Sequence, residues 1–159
     1  MFSSSHPRTW RSGATSWVTS STKPWSTDGS SMTPLDLAKA YLAKGLDDQA
    51  LLDRIVDEKA ITDAIFGFHA QQAAEKYLKA VLAIDQERPE RTHDLRALAD
   101  QCEQAGHPLP DDLHEVLELS PFAVQERYPF ALTPPIDRGK SLGLIADMWR
   151  WAEQIVEHA

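Results

Sequence analysis

One short connection in this chain gathers side chains suited to holding an anion. Lys76 and Lys79 approach it along a helical stretch, Arg88 and Arg91 lie on it, and His93 and Arg96 follow. A helix beginning at Thr92 would turn unpaired N–H groups and the positive end of its dipole toward a phosphate. The arginines could add bidentate contacts to the same anion. His93, as the first residue of that helix, could serve as a general acid or base, or donate to the phosphate. A plainer account is open too. Glu87, Glu90 and Asp94 could neutralise the cations in a solvated loop, and His93 could bond a neighbouring helix end and hold that loop shut. The residues by themselves favour the plainer account.

Other chemistries lack their residues. The glycines are scattered and form no phosphate loop, and neither GxSxG nor HExxH occurs. The six histidines (6, 69, 93, 107, 114 and 158) show no i, i+4 pairing, so no metal site is expected. Cys102 is the single cysteine. It lies on the apolar side of its helix and reads as structural, and it permits no internal disulfide. A reducing, cytoplasmic setting follows, with no cofactor expected.

The elements that must position these residues all read as helices. Phe66, Ala70, Ala73, Tyr77, Ala80 and Ile84 are spaced 4-3-4-3-4, an unbroken seam on a helix predicted from about Lys59 to Asp85. Beside it runs a polar stripe of His69, Gln72, Lys76 and Lys79. The pair Gln71 and Gln72, with Glu75, sits among alanines and suggests a partly buried contact. Solvated surface, a ligand-groove wall or a two-fold subunit interface would each account for it. Thr33-Pro34-Leu35-Asp36 opens the first helix, predicted to about Asp57, with Ala38, Leu42, Leu46, Leu52 and Ile55 inward and Gly45 a weak point. Thr92 is the expected cap of the third helix, which ends at Gly106. A fourth begins at Asp111 or Asp112, with Ser120-Pro121 breaking or bending it. The last begins near Asp137, its seam being Leu142, Ile145, Trp149, Ala152 and Val156. No stretch alternates with period two. The predicted fold is all-α, an up-and-down bundle of four long helices plus a short extra one.

Net charge is −8, from 16 basic and 24 acidic residues. Residues 1–31 are rich in Ser and Thr and read as a disordered tail or a non-native leader, with Met32 as the expected start of the domain at 32–159. With Arg8, Arg11 and Lys23 against Asp28, that segment carries +2, so the domain carries −10. Such a body repels a polyanion, so duplex DNA is not expected as a partner. No apolar run reaches the roughly 18 residues of a membrane span.

FHAQQAAEKYLKA at 68–80, RTHDL at 91–95 and ERYPF at 126–130 resemble the HEPN domains of bacteria and archaea. The resemblance implies a helical bundle, usually a homodimer, often paired with a minimal nucleotidyltransferase in a toxin–antitoxin-like system. It implies nucleotide or RNA phosphate as ligand, with Lys76, Lys79, Arg91, His93, Asp94, Arg127 and Tyr128 as binding residues and His69, Gln71, Gln72 and Glu75 as interface. Many members are metal-independent endoribonucleases with an Arg-x4-6-His motif. Arg88 and His93 have that spacing and would be the catalytic pair. Pro89 after the arginine, and a motif that straddles a loop, depart from the ribonuclease pattern. The resemblance therefore points first to a binding partner subunit, with a ribonuclease or a non-catalytic dimerisation scaffold as alternatives.

Overall fold

The computed structural model describes residues 32–85, 89, 91–127 and 133–159, without the side chains of 125–127. Expectations that concern residues 1–31, Arg88, Tyr128 and the Arg127 side chain lie outside the described residues.

Helix α1 (Pro34–Ile55) starts where its sequence says it should. Thr33 Oγ1 accepts from the Asp36 N–H at 3.1 Å, and the Asp36 carboxylate accepts from the Thr33 N–H at 3.1 Å, a reciprocal capping box. Ala38, Leu42, Gly45 and Leu52 are buried. Leu46 was expected inward but is 38% exposed. Gly45 takes the inner position instead, for a steric reason. A Cβ there would lie 2.4 Å from the Tyr77 ring, so the glycine is what lets the two helices close.

Helix α2 (Asp63–Asp85) is about 35 Å long at 1.5 Å per residue. It begins four residues later than predicted, because 56–62 forms turns. Glu58 N–H donates to Ile55 O and Ile61 N–H to Glu58 O. Thr62 then caps α2, its carbonyl accepting from Phe66 N–H at 3.1 Å and its hydroxyl from Ile65 N–H at 3.4 Å. The predicted seam is buried from Phe66 to Ala80 without exposure, and Ile84 is half-buried. Ala74, Leu78, Val81, Leu82 and Ala83 are buried as well. Burial nearly all round is what a central helix needs, and α2 packs against every other described helix.

Helix α3 (Leu95–Gln104) closes with Gly106 at φ +88°, which a residue with a side chain adopts only with strain. His107 N–H reaches back to Cys102 O at 2.8 Å, and Gly106 N–H to Glu103 O, a Schellman ending.

The next element, η1 (Asp111–Arg127), departs from the prediction in kind. It is a continuous 3₁₀ helix with Pro121 inside it, not an α-helix broken at Ser120-Pro121. Its buried residues explain this. Leu113, Val116, Leu119 and Phe122 recur every third residue, and three residues per turn stack them in one line. That line lies on α2, where Gly67 admits it: a Cβ on Gly67 would stand 2.2 Å from the Phe122 ring.

Helix α4 (Arg138–Glu157) starts at Asp137, whose carboxylate accepts from Lys140 N–H at 2.9 Å. Its buried face is Ser141, Ile145, Met148, Ala152 and Val156. Leu142 and Trp149 of the predicted seam are half-buried, and Met148 takes the fully buried place. Helix α4 packs on α1, α2 and η1, while α3 packs on α2 and η1. Every described element is helical, as predicted, and no described helix is long and apolar enough to cross a membrane.

Candidate functional site

Glu75 is the centre of the polar residues on α2. It faces the segment that enters α3, and its side chain is only 7% exposed. A carboxylate so enclosed needs donors, and three converge on it. Lys79 Nζ lies 2.7 Å from Oε1, Gln71 Nε2 3.0 Å from Oε2, and His93 Nδ1 3.1 to 3.2 Å from both oxygens. Burial pushes the Glu75 carboxyl up, but the hydrogen bonds from Lys79, Gln71 and His93 outweigh it and hold it below its ordinary value.

Gln71, buried without exposure, does two jobs with one amide. Its Nε2 donates to Glu75 and also to the His93 carbonyl at 3.1 Å. Its Oε1 accepts from Gln72 Nε2 at 2.9 Å. The burial of Gln71 and Glu75 is thus accounted for within one chain, by the segment around His93, without a second subunit.

The other members of the stripe serve the α1–α2 contact. Asp48 on α1 receives Lys76 Nζ at one oxygen and His69 Nδ1 at the other, the latter at 2.8 Å. Next to it, the Tyr77 hydroxyl donates to Gln49 Oε1 at 2.8 Å. The predicted basic cluster is therefore divided. Lys76 belongs with Asp48 and His69, and Lys79 with Glu75 and His93.

The start of α3 also differs from expectation. Asp94, not Thr92, is the cap: its carboxylate accepts from Arg96 N–H at 2.9 Å. Thr92 Oγ1 accepts from Asp94 N–H instead, one step earlier, so His93 precedes the helix. Ser120 Oγ on η1 accepts from Leu95 N–H at 3.3 Å. The chain's own oxygens thus occupy three of the N–H groups thought open to a phosphate, those of Asp94, Leu95 and Arg96. Arg96 pairs with Glu118. Arg91 is exposed and makes no ion pair with a described residue. His93 keeps 61% of its side chain exposed.

Two further groups escaped sequence reasoning. Asp48 carried no signal, since a carboxylate on a helix reads as surface. Arg138, at the start of α4, carried none either, although its fork reaches back to the α1–α2 connection. Nε lies 2.8 Å from Asp63 Oδ1, Nη1 3.1 Å from Glu58 O and 3.4 Å from Ile55 O, and Nη2 2.6 Å from Ile61 O. No group of three or more His, Cys, Asp or Glu side chains suited to a metal ion occurs among the described residues. Cys102 is buried, with its thiol pushed up to about 12 by that burial, which suits a packing role.

The described elements are all helical and pack around one buried helix, which places the chain among the all-α bundles. The HEPN domain family model matches residues 38–159, and the chain belongs to that family. No curated protein and no solved structure matches the chain.

Proposed function

We propose that this HEPN-domain protein binds a nucleotide or RNA phosphate and serves, as a homodimer in the cytoplasm, as the partner subunit of a minimal nucleotidyltransferase in a toxin–antitoxin-like pair. One observation carries the binding half of this reading. The segment at 91–94 is tied to α2 through both the backbone and the ring of His93, yet Arg91 and the His93 imidazole are exposed on it. A guanidinium of the type that recognises phosphate and an imidazole thus stand together on a fixed support. Lys79 backs this segment through Glu75, while Lys76 is paired with Asp48 on α1, so neither is a free cation. A site of this size suits one phosphate of a mononucleotide or a single strand, on a domain that otherwise repels polyanions. The partner half is supported by the family.

A second reading has its own support. A carboxylate bonded to Nδ1 of an exposed histidine is the arrangement that readies the other ring nitrogen as a base. An endoribonuclease would use His93 on the ribose 2′-OH and Arg88 on the scissile phosphate.

Fluorescence anisotropy with a labelled single-stranded RNA, and with a fluorescent ATP analogue, tests the site at low salt. Arg91→Ala and His93→Ala should each weaken binding roughly tenfold, the loss of one charge-assisted contact. RNA cleavage that disappears in His93→Ala, with folding kept, would replace the binding reading by the second. Absence of binding and of complex formation with a co-expressed nucleotidyltransferase would remove the first.

A further inference from the structure

Gln71 and Glu75 do more than bury polar atoms. A lone surface histidine samples both neutral tautomers and several rotamers, and a site that uses one ring nitrogen loses whatever fraction points elsewhere. Here the freedom is removed from two directions. The His93 backbone is held through its carbonyl by Gln71, and its ring through Nδ1 by Glu75. Glu75 cannot turn away, because Lys79 and Gln71 hold its two oxygens separately. Gln71 cannot flip, because Gln72 donates to its Oε1.

The hydrogen on the ring follows from the partner. An ionised carboxylate only accepts, so Nδ1 carries the hydrogen, and in the neutral ring Nε2 holds the lone pair. Nε2 makes no hydrogen bond with a described residue, and the side chain is mostly exposed.

We infer that Glu75 is a positioning residue for His93: its buried carboxylate, anchored by Gln71 and Lys79, fixes the Nδ1–H tautomer and presents the Nε2 lone pair outward as the acceptor for a ribose hydroxyl of the bound nucleotide or RNA. This deepens the binding reading above and rests on it for its ligand, but the tautomer itself does not depend on any ligand. Glutamine at 75 separates the two. The carboxylate gives an acceptor to each of Lys79 and Gln71, and the amide of Gln supplies only one. With Lys79 on the amide oxygen, the amide NH₂ would face Nδ1 and favour the Nε2–H form.

The experiment is long-range ¹⁵N–¹H correlation NMR of the whole protein with ¹⁵N-labelled histidine, at a pH where His93 is neutral. Wild type should show the Nδ1–H pattern for His93, and Glu75→Gln should show mainly Nε2–H. Because Glu75→Gln leaves Lys79 without its anion, Glu75→Gln combined with Lys79→Met is measured beside it; Gln71 Nε2 then takes the amide oxygen, and the same loss of the Nδ1–H form is expected. Binding of the labelled single-stranded RNA should weaken roughly tenfold in Glu75→Gln, and His93→Ala should show no further effect of that substitution. A wild-type His93 in the Nε2–H form, or an unchanged tautomer in both folded variants, overturns the inference even if RNA binds. A tautomer that switches as described, in a protein that binds neither RNA nor nucleotide, upholds the positioning role and sinks the functional reading instead.

Discussion

Replacing Arg138 with Met would keep the aliphatic stem and remove the guanidinium that ties the start of α4 to the α1–α2 connection. Three backbone carbonyls would lose a charged donor: Ile55 at the end of α1, Glu58 and Ile61. The Arg138 side chain is 18% exposed, against 48% for its carboxylate partner Asp63. Water can therefore replace the donor at Asp63 and at the exposed Glu58 carbonyl, and those losses are close to nothing. The part-buried carbonyls are different. Ile61 O accepts at 2.6 Å and would be left dry, while Ile55 O, at 3.4 Å, loses a weaker bond. A hydrogen bond to a charged group contributes about 1.5–3 kcal/mol, so one strong and one weak bond sum to about 3 kcal/mol. The guanidinium also lies 5.4 Å from the Phe66 ring centroid, which adds about 0.5–1 kcal/mol. At roughly 4 °C per kcal/mol for a domain of this size, Tm should fall by more than 10 °C. Thermal unfolding followed by far-UV circular dichroism measures the shift in Tm, and urea unfolding the loss of free energy. Asp63→Asn serves as the control and should cost about 1 kcal/mol or less. An Arg138→Met protein within about 0.5 kcal/mol of wild type, or an Asp63→Asn protein that loses as much as Arg138→Met, would refute the reasoning.

Gly67→Ala should destabilise the fold by about 1–3 kcal/mol in chemical denaturation, although alanine is the better helix former by about 1 kcal/mol, because its methyl would stand 2.2 Å from the Phe122 ring. Glu75, held below its ordinary 4.5, contributes stability that is fully present above that pH and is lost as pH falls through the lower folded value. Acid unfolding of Glu75→Gln should therefore be less steep than that of wild type as the pH falls below 4.5. Cys102 should react with iodoacetamide at pH 8 far more slowly in the native protein than in urea, since burial pushes its thiol up to about 12. Equal rates in the two states would mean that Cys102 is not buried between α3 and α2.

How much of this could be read from the chain varied with the range of the interaction that decides each feature. Local chemistry was legible. The Thr33–Asp36 box and the Asp137 cap lie within four residues of the N–H groups they bind, and both helices start where they indicate. The α2 seam was legible because its 4-3 spacing leaves a single helical face. The failures share a cause. Thr92 and Asp94 are both good caps, and what distinguishes them is partners 20 or more residues away: Gln71 on the His93 carbonyl and Ser120 on Leu95 N–H. The period-three line of η1 was present in the sequence, but Leu113, Val116 and Leu117 fit an α-helix equally well. Only the groove over Gly67 selects the tighter winding. Arg138 and Asp48 show the same limit for charges, since a residue's charge does not tell which carbonyl or helix it will meet. In the candidate site the sequence placed Gln71, Glu75, Lys79 and His93 near one another, but not in their order of dependence.

That order follows from the crowding of α2. A helix that packs on every other element has little surface left, and its polar residues can be kept only if each finds a partner nearby. Asp48 meets this need on the α1 side, and the segment around His93 meets it on the α3 side. The two sides differ in what they leave open. Around Asp48 the cations are paired between packed helices, which fixes the helix register. Around Glu75 the last member of the chain of bonds is a histidine on a non-helical segment, with most of its side chain in solvent. The same requirement, that buried polar groups be satisfied, therefore gives a structural lock at one end of the network and an oriented, accessible imidazole at the other. On the proposed binding reading, a ligand that engages that imidazole would act on α2 through two residues, Gln71 and Glu75.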